Sequence, residues 1–144
     1  MPGLREIYLG EWEGLRTVDI AERYPQAWAG WQEEPNWDLV PGGEGAAAFE
    51  KRVGAALDSI FKHHVRGEVL VVTHGGVIQI ALHRVVGRPS RGLFPFKIQN
   101  ASISVIERGD SRVVVSGVND IAHLEAGSPI PNPSPSSGEG SLLG

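Results

Sequence analysis

The chain has 144 residues, of which 41% are hydrophobic and 21% charged, and this is ordinary usage for one folded domain. It carries a formal net charge of −4 and no cysteine, so disulfides, thiolate nucleophiles and zinc–sulfur sites are excluded, and no basic stripe predicts a nucleic-acid or anionic-membrane partner. Because no apolar run approaches the ~20 residues that span a bilayer and no leader opens the chain, we expect a cytoplasmic protein.

The first third of the chain predicts a structured loop followed by a helix. Residues 4–14 contain too many glycines for a long helix. From Leu15 to Tyr24, apolar or small residues recur at helical spacing, and Pro25 closes the pattern. Three tryptophans follow in a short polar stretch that ends at Pro41-Gly42-Gly43, and we interpret them as packing residues.

The middle of the chain predicts two helices with a buried strand between them. Ala46 to Val65 carries one apolar stripe, with most charged residues outside it, and Gly67 ends the helix. Val69 to Val72 is apolar at every position, which is typical of a strand covered on both faces in a parallel sheet. Val77 to Val86 is apolar nearly all round and predicts a buried helix.

The last third predicts three strands and a tail. The strands lie around Phe94–Ile98, Ser102–Glu107 and Arg112–Ser116, and a hairpin turn at residues 108–111 joins the last two. From Ala126 onward the chain is almost all Gly, Pro, Ser and Asn, too poor in apolar residues to stabilise an ordered conformation. We therefore predict a folded domain over residues 1–125 and a disordered tail over residues 126–144.

His74 occupies a position suited to anion chemistry, directly after the predicted strand. Open α/β folds bind ligands at the carboxyl edge of the sheet, and Gly75 and Gly76 would allow a tight turn and a close approach of a ligand to the backbone. The following helix would offer unpaired N–H groups to a phosphate. A histidine that only caps the turn is an equally good interpretation of these three residues alone.

Three acids, Glu6, Glu11 and Glu13, lie in the N-terminal loop. Such a group is usually a solvated surface. Glu6 has apolar neighbours on both sides and is the best placed to lie in a partly apolar pocket, which would raise its pKa and let it donate a proton to a leaving oxygen. We interpret the remaining histidines as structural: His63, His64, His83 and His123.

Six segments that occur in a fixed order carry a family resemblance. They are Leu4-x-Glu6-x-x-x-Gly10-x-Trp12-Glu13-Gly14, Pro41-Gly42-Gly43-Glu44, Arg52, Val71-Val72-Thr73-His74-Gly75-Gly76, Asn100-x-Ser102-Ile103-Ser104 and Asn119-Asp120-x-x-His123-Leu124. Together they resemble the histidine phosphatase superfamily, also called phosphoglycerate-mutase-like, over residues 4–124. The resemblance implies a three-layer α/β/α sandwich with a mostly parallel sheet.

The resemblance also implies phosphomonoester hydrolysis through a phosphohistidine. In that family a histidine of an N-terminal Arg-His-Gly motif accepts the phosphoryl group, and two arginines clamp its oxygens. The family's histidine at the position of His74 stabilises the charge on the transferring phosphoryl group. Its glutamate at the position of Glu6 acts as general acid and then as base for the water that hydrolyses the phosphohistidine. We expect Gly75 to contact the phosphate, the substrate to be a small phosphorylated metabolite, and no metal or organic cofactor to take part.

The sequence departs from the family pattern in one major respect, since it contains no Arg-His-Gly. We therefore expect an N-terminally truncated domain with little or no turnover, and a sheet edge that favours pairing with another chain. Gln79 and Gly45 also differ from the residues that relatives usually carry. Two alternatives stay open: phosphoglycerate-mutase-type phosphoryl transfer, and a non-catalytic remnant that binds phosphate or a partner. Whether the chain forms a homodimer also stays open.

Overall fold

The computed structural model describes residues 1–92 and 95–125 and shows a mixed α/β arrangement in which helices precede a β-hairpin. Five α-helices lie in the described residues: α1 (Thr17–Arg23), α2 (Pro25–Glu33), α3 (Ala46–His63), α4 (Gly75–Val86) and α5 (Ala122–Glu125). Two strands, β1 (Ile103–Arg108) and β2 (Val113–Asp120), follow α4. None of the described helices combines the length and the hydropathy that crossing a membrane would take.

The main core lies between α3, α4 and the N-terminal loop. Phe49 and Val53 of α3 are fully buried and share a cluster with Val77 and Ile80 of α4. The ring of Trp37 meets that of Phe49 edge-on, with centroids 5.0 Å apart, a favoured aromatic geometry. Both helices of this core were predicted, and both are confirmed; α3 ends two residues earlier than expected and α4 begins two residues earlier.

A second cluster contains the tryptophans. Trp12 is buried and packs edge-on against Trp28 and Trp31 of α2, at centroid distances of 6.1 and 5.5 Å. The packing role predicted for these rings is confirmed. The helix that carries two of them was not predicted; Pro25 ends the pattern of α1 and also begins α2, because proline suits the first turn of a helix.

The hairpin is the one sheet in the described part of the chain. β1 and β2 pair antiparallel, with Glu107 opposite Val114, and the N–H of Gly109 donates to the carbonyl of Arg112 at 2.9 Å across the turn. These two strands and their turn are confirmed. The strand predicted around Phe94–Ile98 is wrong for residues 95–98, where Pro95 lacks the N–H that a ladder needs; Phe94 lies outside the described residues.

The strand predicted over Val69–Val72 is also wrong. Residues 69–72 adopt no regular structure, and the exposed fractions of their side chains are 44%, 88%, 38% and 90%. A strand exists only through its ladder partners, and no described segment pairs with this run. The mostly parallel sheet is accordingly not seen in residues 1–92 and 95–125. The predicted tail, residues 126–144, lies outside the described residues.

Candidate active site

The fold brings the N-terminal loop against the turn at His74. The backbone N–H of Gly76 donates to Glu6 Oε2 at 3.1 Å, and the hydroxyl of Thr73 donates to the carbonyl of Leu4 at 2.8 Å. The two residues that the sequence singled out, Glu6 and His74, therefore lie on segments that are joined directly, although they are far apart along the chain.

The Glu6 carboxylate is half-buried and held by backbone on both oxygens. Its Oε1 accepts the N–H of Ile7 at 2.9 Å, and its Oε2 accepts the N–H of Gly76. A Cβ on Gly76 would lie 2.4 Å from Glu6 Oε1 and 3.1 Å from a ring carbon of Phe49. Gly76 is thus required for the approach of this carboxylate, whereas the sequence had suggested the approach of a ligand.

His74 immediately precedes α4 and adopts an extended backbone conformation, with φ −119° and ψ 163°. Its carbonyl accepts the N–H of Ile78 at 3.1 Å, and its side chain is exposed. A Cβ on Gly75 would meet no described atom within 4 Å. Since Glu6 already occupies the N–H of Gly76, an anion at the start of this helix would approach on the open side, over His74 and Gly75.

The other two acids of the loop serve its internal structure. Glu13 Oε1 accepts the N–H of Leu9 at 2.9 Å. Glu11 Oε2 accepts the phenol of Tyr24 at 2.7 Å, and this hydrogen bond raises the pKa of Tyr24 above its ordinary value. Both glutamates are exposed, so Glu6 is the acid of the three that the fold places against the His74 turn.

Arg52 belongs to the ordered family motifs, but the sequence did not reveal its contacts, because its position on α3 falls outside the apolar stripe. Its guanidinium pairs with both carboxylate oxygens of Glu44, at 2.5 and 2.8 Å, and lies 4.7 Å from the centre of the Phe49 ring. The hydrogen bond from Arg52 lowers the pKa of Glu44, helped by the N–H of Tyr8 and opposed by burial. The sequence signal for this pair is a glutamate just before a helix and an arginine two turns into it.

The remaining candidates lie away from this turn. The amide of Gln79, buried in α4, donates to the carbonyl of Phe96. His83 is buried with its ring 5.5 Å from that of Phe96, while His123 is exposed on α5. Within residues 1–92 and 95–125, no three His, Cys, Asp or Glu residues are grouped so that they could hold a metal ion.

Comparison with known families decides what kind of protein carries this arrangement. Residues 1–121 match the family model described as the histidine phosphatase superfamily, branch 1. The chain belongs to the histidine phosphatase superfamily. The family predicted from the ordered motifs is thereby confirmed.

Three relatives illustrate the likeness. A metal-independent phosphoserine phosphatase of Arabidopsis thaliana is 32% identical over 127 residues, which are 88% of this chain and 52% of the relative. Phosphoserine phosphatase 1 of Hydrogenobacter thermophilus is 32% identical over 119 residues, 83% of this chain and 56% of the relative. The solved structure of Bacillus stearothermophilus YhfR superposes with a TM-score of 0.76 at 29% identity, covering 87% of this chain and 62% of that one. The chain spans about half the length of the curated relatives that it matches.

Proposed function

We propose that this chain supplies the acid and the phosphate-binding half of a histidine phosphatase site, in a protein that hydrolyses small phosphomonoesters. The observation that carries the proposal is the hydrogen bond from Gly76 to Glu6, which sets a carboxylate at the start of α4, the helix that the exposed His74 immediately precedes. A proton donor next to an anion site is the pair of groups that cleavage of a phosphate ester needs.

In this proposal the ester phosphate binds over His74 and the open side of Gly75. Glu6 protonates the leaving oxygen while the phosphoryl group passes to a histidine nitrogen, so the ester P–O bond breaks as a P–N bond forms. Glu6 then takes a proton from the water that attacks phosphorus and releases the histidine. Two relatives named as phosphoserine phosphatases favour water as the acceptor over a second substrate hydroxyl.

We further propose that the nucleophilic histidine and the rest of the sheet belong to a segment outside this chain. Three observations support this: no Arg-His-Gly occurs in the sequence, the chain matches about half of its relatives, and the apolar run at residues 69–72 is exposed. Turnover by the chain alone is then expected to be little or none. The coding DNA upstream of Met1 tests this, since an in-frame Arg-His-Gly would support it and a nearby stop codon would contradict it.

Binding of inorganic phosphate tests the half-site directly. We expect phosphate to shift the NMR signals of the His74 ring and the Gly75 amide, and the His74→Ala variant to lose the Gly75 shift. His64→Ala is the matched control, because His64 is exposed at the end of α3. Binding unaffected by His74→Ala, or shifts at neither residue, would disprove the assignment, and efficient p-nitrophenyl phosphate turnover by the chain alone would disprove the need for an outside nucleophile.

A binding protein without catalysis is the second candidate, favoured by the absence of Arg-His-Gly from the sequence. It predicts phosphate binding at His74 together with an upstream stop codon. Both candidates predict phosphate binding at His74, so the upstream DNA is the observation that separates them.

A further inference from the structure

We infer that Arg52 is a positioning residue that fixes the Glu6 carboxylate at the start of α4. The inference rests on the function proposed for Glu6 and adds to it the group that sets the geometry of the acid. Arg52 lies on α3, the helix that carries the buried Phe49 and Val53. The loop that Arg52 binds is therefore fixed relative to the core of the molecule.

The guanidinium of Arg52 uses all five of its N–H groups. Two go to the carboxylate of Glu44. The other three go to main-chain carbonyls of the N-terminal loop, those of Gly3 at 3.1 Å, Arg5 at 2.8 Å and Glu6 at 2.8 Å. Because arginine carries five donors in a fixed fork, one side chain determines the path of the backbone on both sides of the Glu6 α-carbon.

Glu44 clamps the same loop one step further along. Its N–H donates to the carbonyl of Tyr8 at 2.9 Å, and its carboxylate accepts the N–H of Tyr8 at 3.3 Å. The loop is therefore held before, at and after Glu6, and from this backbone position the carboxylate of Glu6 accepts the N–H of Gly76. Apart from the Glu44 carboxylate and the Phe49 ring, the contacts of Arg52 end on the main chain of this loop, so its route to the proposed reaction runs through the position of Glu6.

Lysine at position 52 could not make the same set of hydrogen bonds. An ammonium has three donors and no planar fork, so it could not serve Glu44 and three carbonyls at once. The side chains of Arg52 and Glu44 are only 27% and 17% exposed. Removing the donor of an acceptor buried to this extent lowers the stability of the folded protein. Arg84 offers a matched comparison: it pairs α4 with Asp58 of α3, but the two side chains are 46% and 61% exposed.

The test is NMR on the full 144-residue chain. We expect Arg52→Lys to abolish the pH titration of the Gly76 amide shift, which reports the Glu6 carboxyl, and to lower protection of that amide from exchange by on the order of tenfold, the loss of one charge-assisted hydrogen bond. The amide of Ile78, bonded within α4 to His74, is the internal reference and should keep its protection. Arg84→Lys should leave all three readouts unchanged.

A role confined to stability would give a different result, with Gly76 and Ile78 losing protection together and the Gly76 titration intact; that result would overturn the inference. If Arg52→Lys does not fold, Glu44→Gln is measured by the same readouts and decides the question. None of these readouts needs turnover. A chain that fails the phosphate-binding test but loses the Gly76 titration in Arg52→Lys would contradict the proposed function and support the positioning role.

Discussion

At the scale of single residues, the two glycines after His74 have different duties. Gly76 lies where any side chain would collide with the Glu6 carboxylate and the Phe49 ring, whereas the space beside Gly75 is open. The pair therefore separates two reasons for glycine in one motif: close packing of the protein against itself at Gly76, and access from outside at Gly75.

Substitution by alanine should expose this difference. We expect Gly76→Ala to lower the free energy of unfolding by about 1–3 kcal/mol, the usual cost of an extra methyl in a tight site, and to break the hydrogen bond to Glu6. Gly75→Ala should be neutral or stabilising by up to about 1 kcal/mol, since alanine is the better helix former. Urea unfolding followed by circular dichroism measures both, and equal losses in the two variants would refute the steric distinction.

At the scale of elements, the Glu44–Arg52 pair joins the start of α3 to the N-terminal loop. Its contribution depends on the charge of Glu44, whose pKa is lowered in the folded state, mainly by the hydrogen bond from Arg52. A depressed folded-state pKa adds stability that is complete above the unfolded pKa of about 4.3 and is lost as the pH falls through the folded value.

The pH dependence of stability follows from this sign. Glu44→Gln should be clearly less stable than the wild type near neutral pH. The difference should shrink as the pH falls below roughly 4.3, where the Glu44 carboxylate of the unfolded wild-type chain is protonated before that of the folded chain. Chemical denaturation at a series of pH values measures the difference. Glu50→Gln, on α3 with Arg52, controls for the loss of one carboxylate. A Glu44→Gln difference independent of pH would rule out the ion pair as its cause.

The elements that the sequence predicted are those whose signal is local. The apolar spacing of α3 and α4 and the turn at residues 108–111 need no knowledge of distant segments. The run at Val69–Val72 failed because a strand depends on its partner, and α2 was missed because its tryptophans obscured the helical pattern. At the site, the resemblance pointed to Glu6 and His74, but the duties of Gly76 and Arg52 arise from contacts with residues distant in sequence.

At the scale of the whole molecule, the main irregularity is the exposed apolar run at residues 69–72. Leu70 and Val72 are 88% and 90% exposed, and the hairpin carries further exposed apolar residues such as Val105 and Val113. Unpaired backbone next to apolar side chains favours association with another chain.

We therefore expect the chain alone to self-associate with rising concentration, and Leu70→Lys and Val72→Lys to shift it towards monomer. Val18→Lys is the control, because Val18 is 57% exposed on α1, away from this run. Sedimentation velocity over about a tenfold concentration range measures the distribution, since an association driven by an exposed edge follows mass action. A wild-type chain that stays monomeric throughout would show the prediction to be wrong.

The hydrogen bonds that build the site also determine when it can form. Thr73 and Gly76 reach partners 69 and 70 positions earlier in the chain, and Arg52 reaches back 46 to 49 positions. Closing such long loops costs conformational entropy before any bond is gained. During synthesis, the N-terminal loop can dock on α3 as soon as that helix has emerged, whereas the contacts of the His74 turn must wait for residue 76. The Arg52 contacts are therefore available first, and the start of α4 docks onto a loop that is already held.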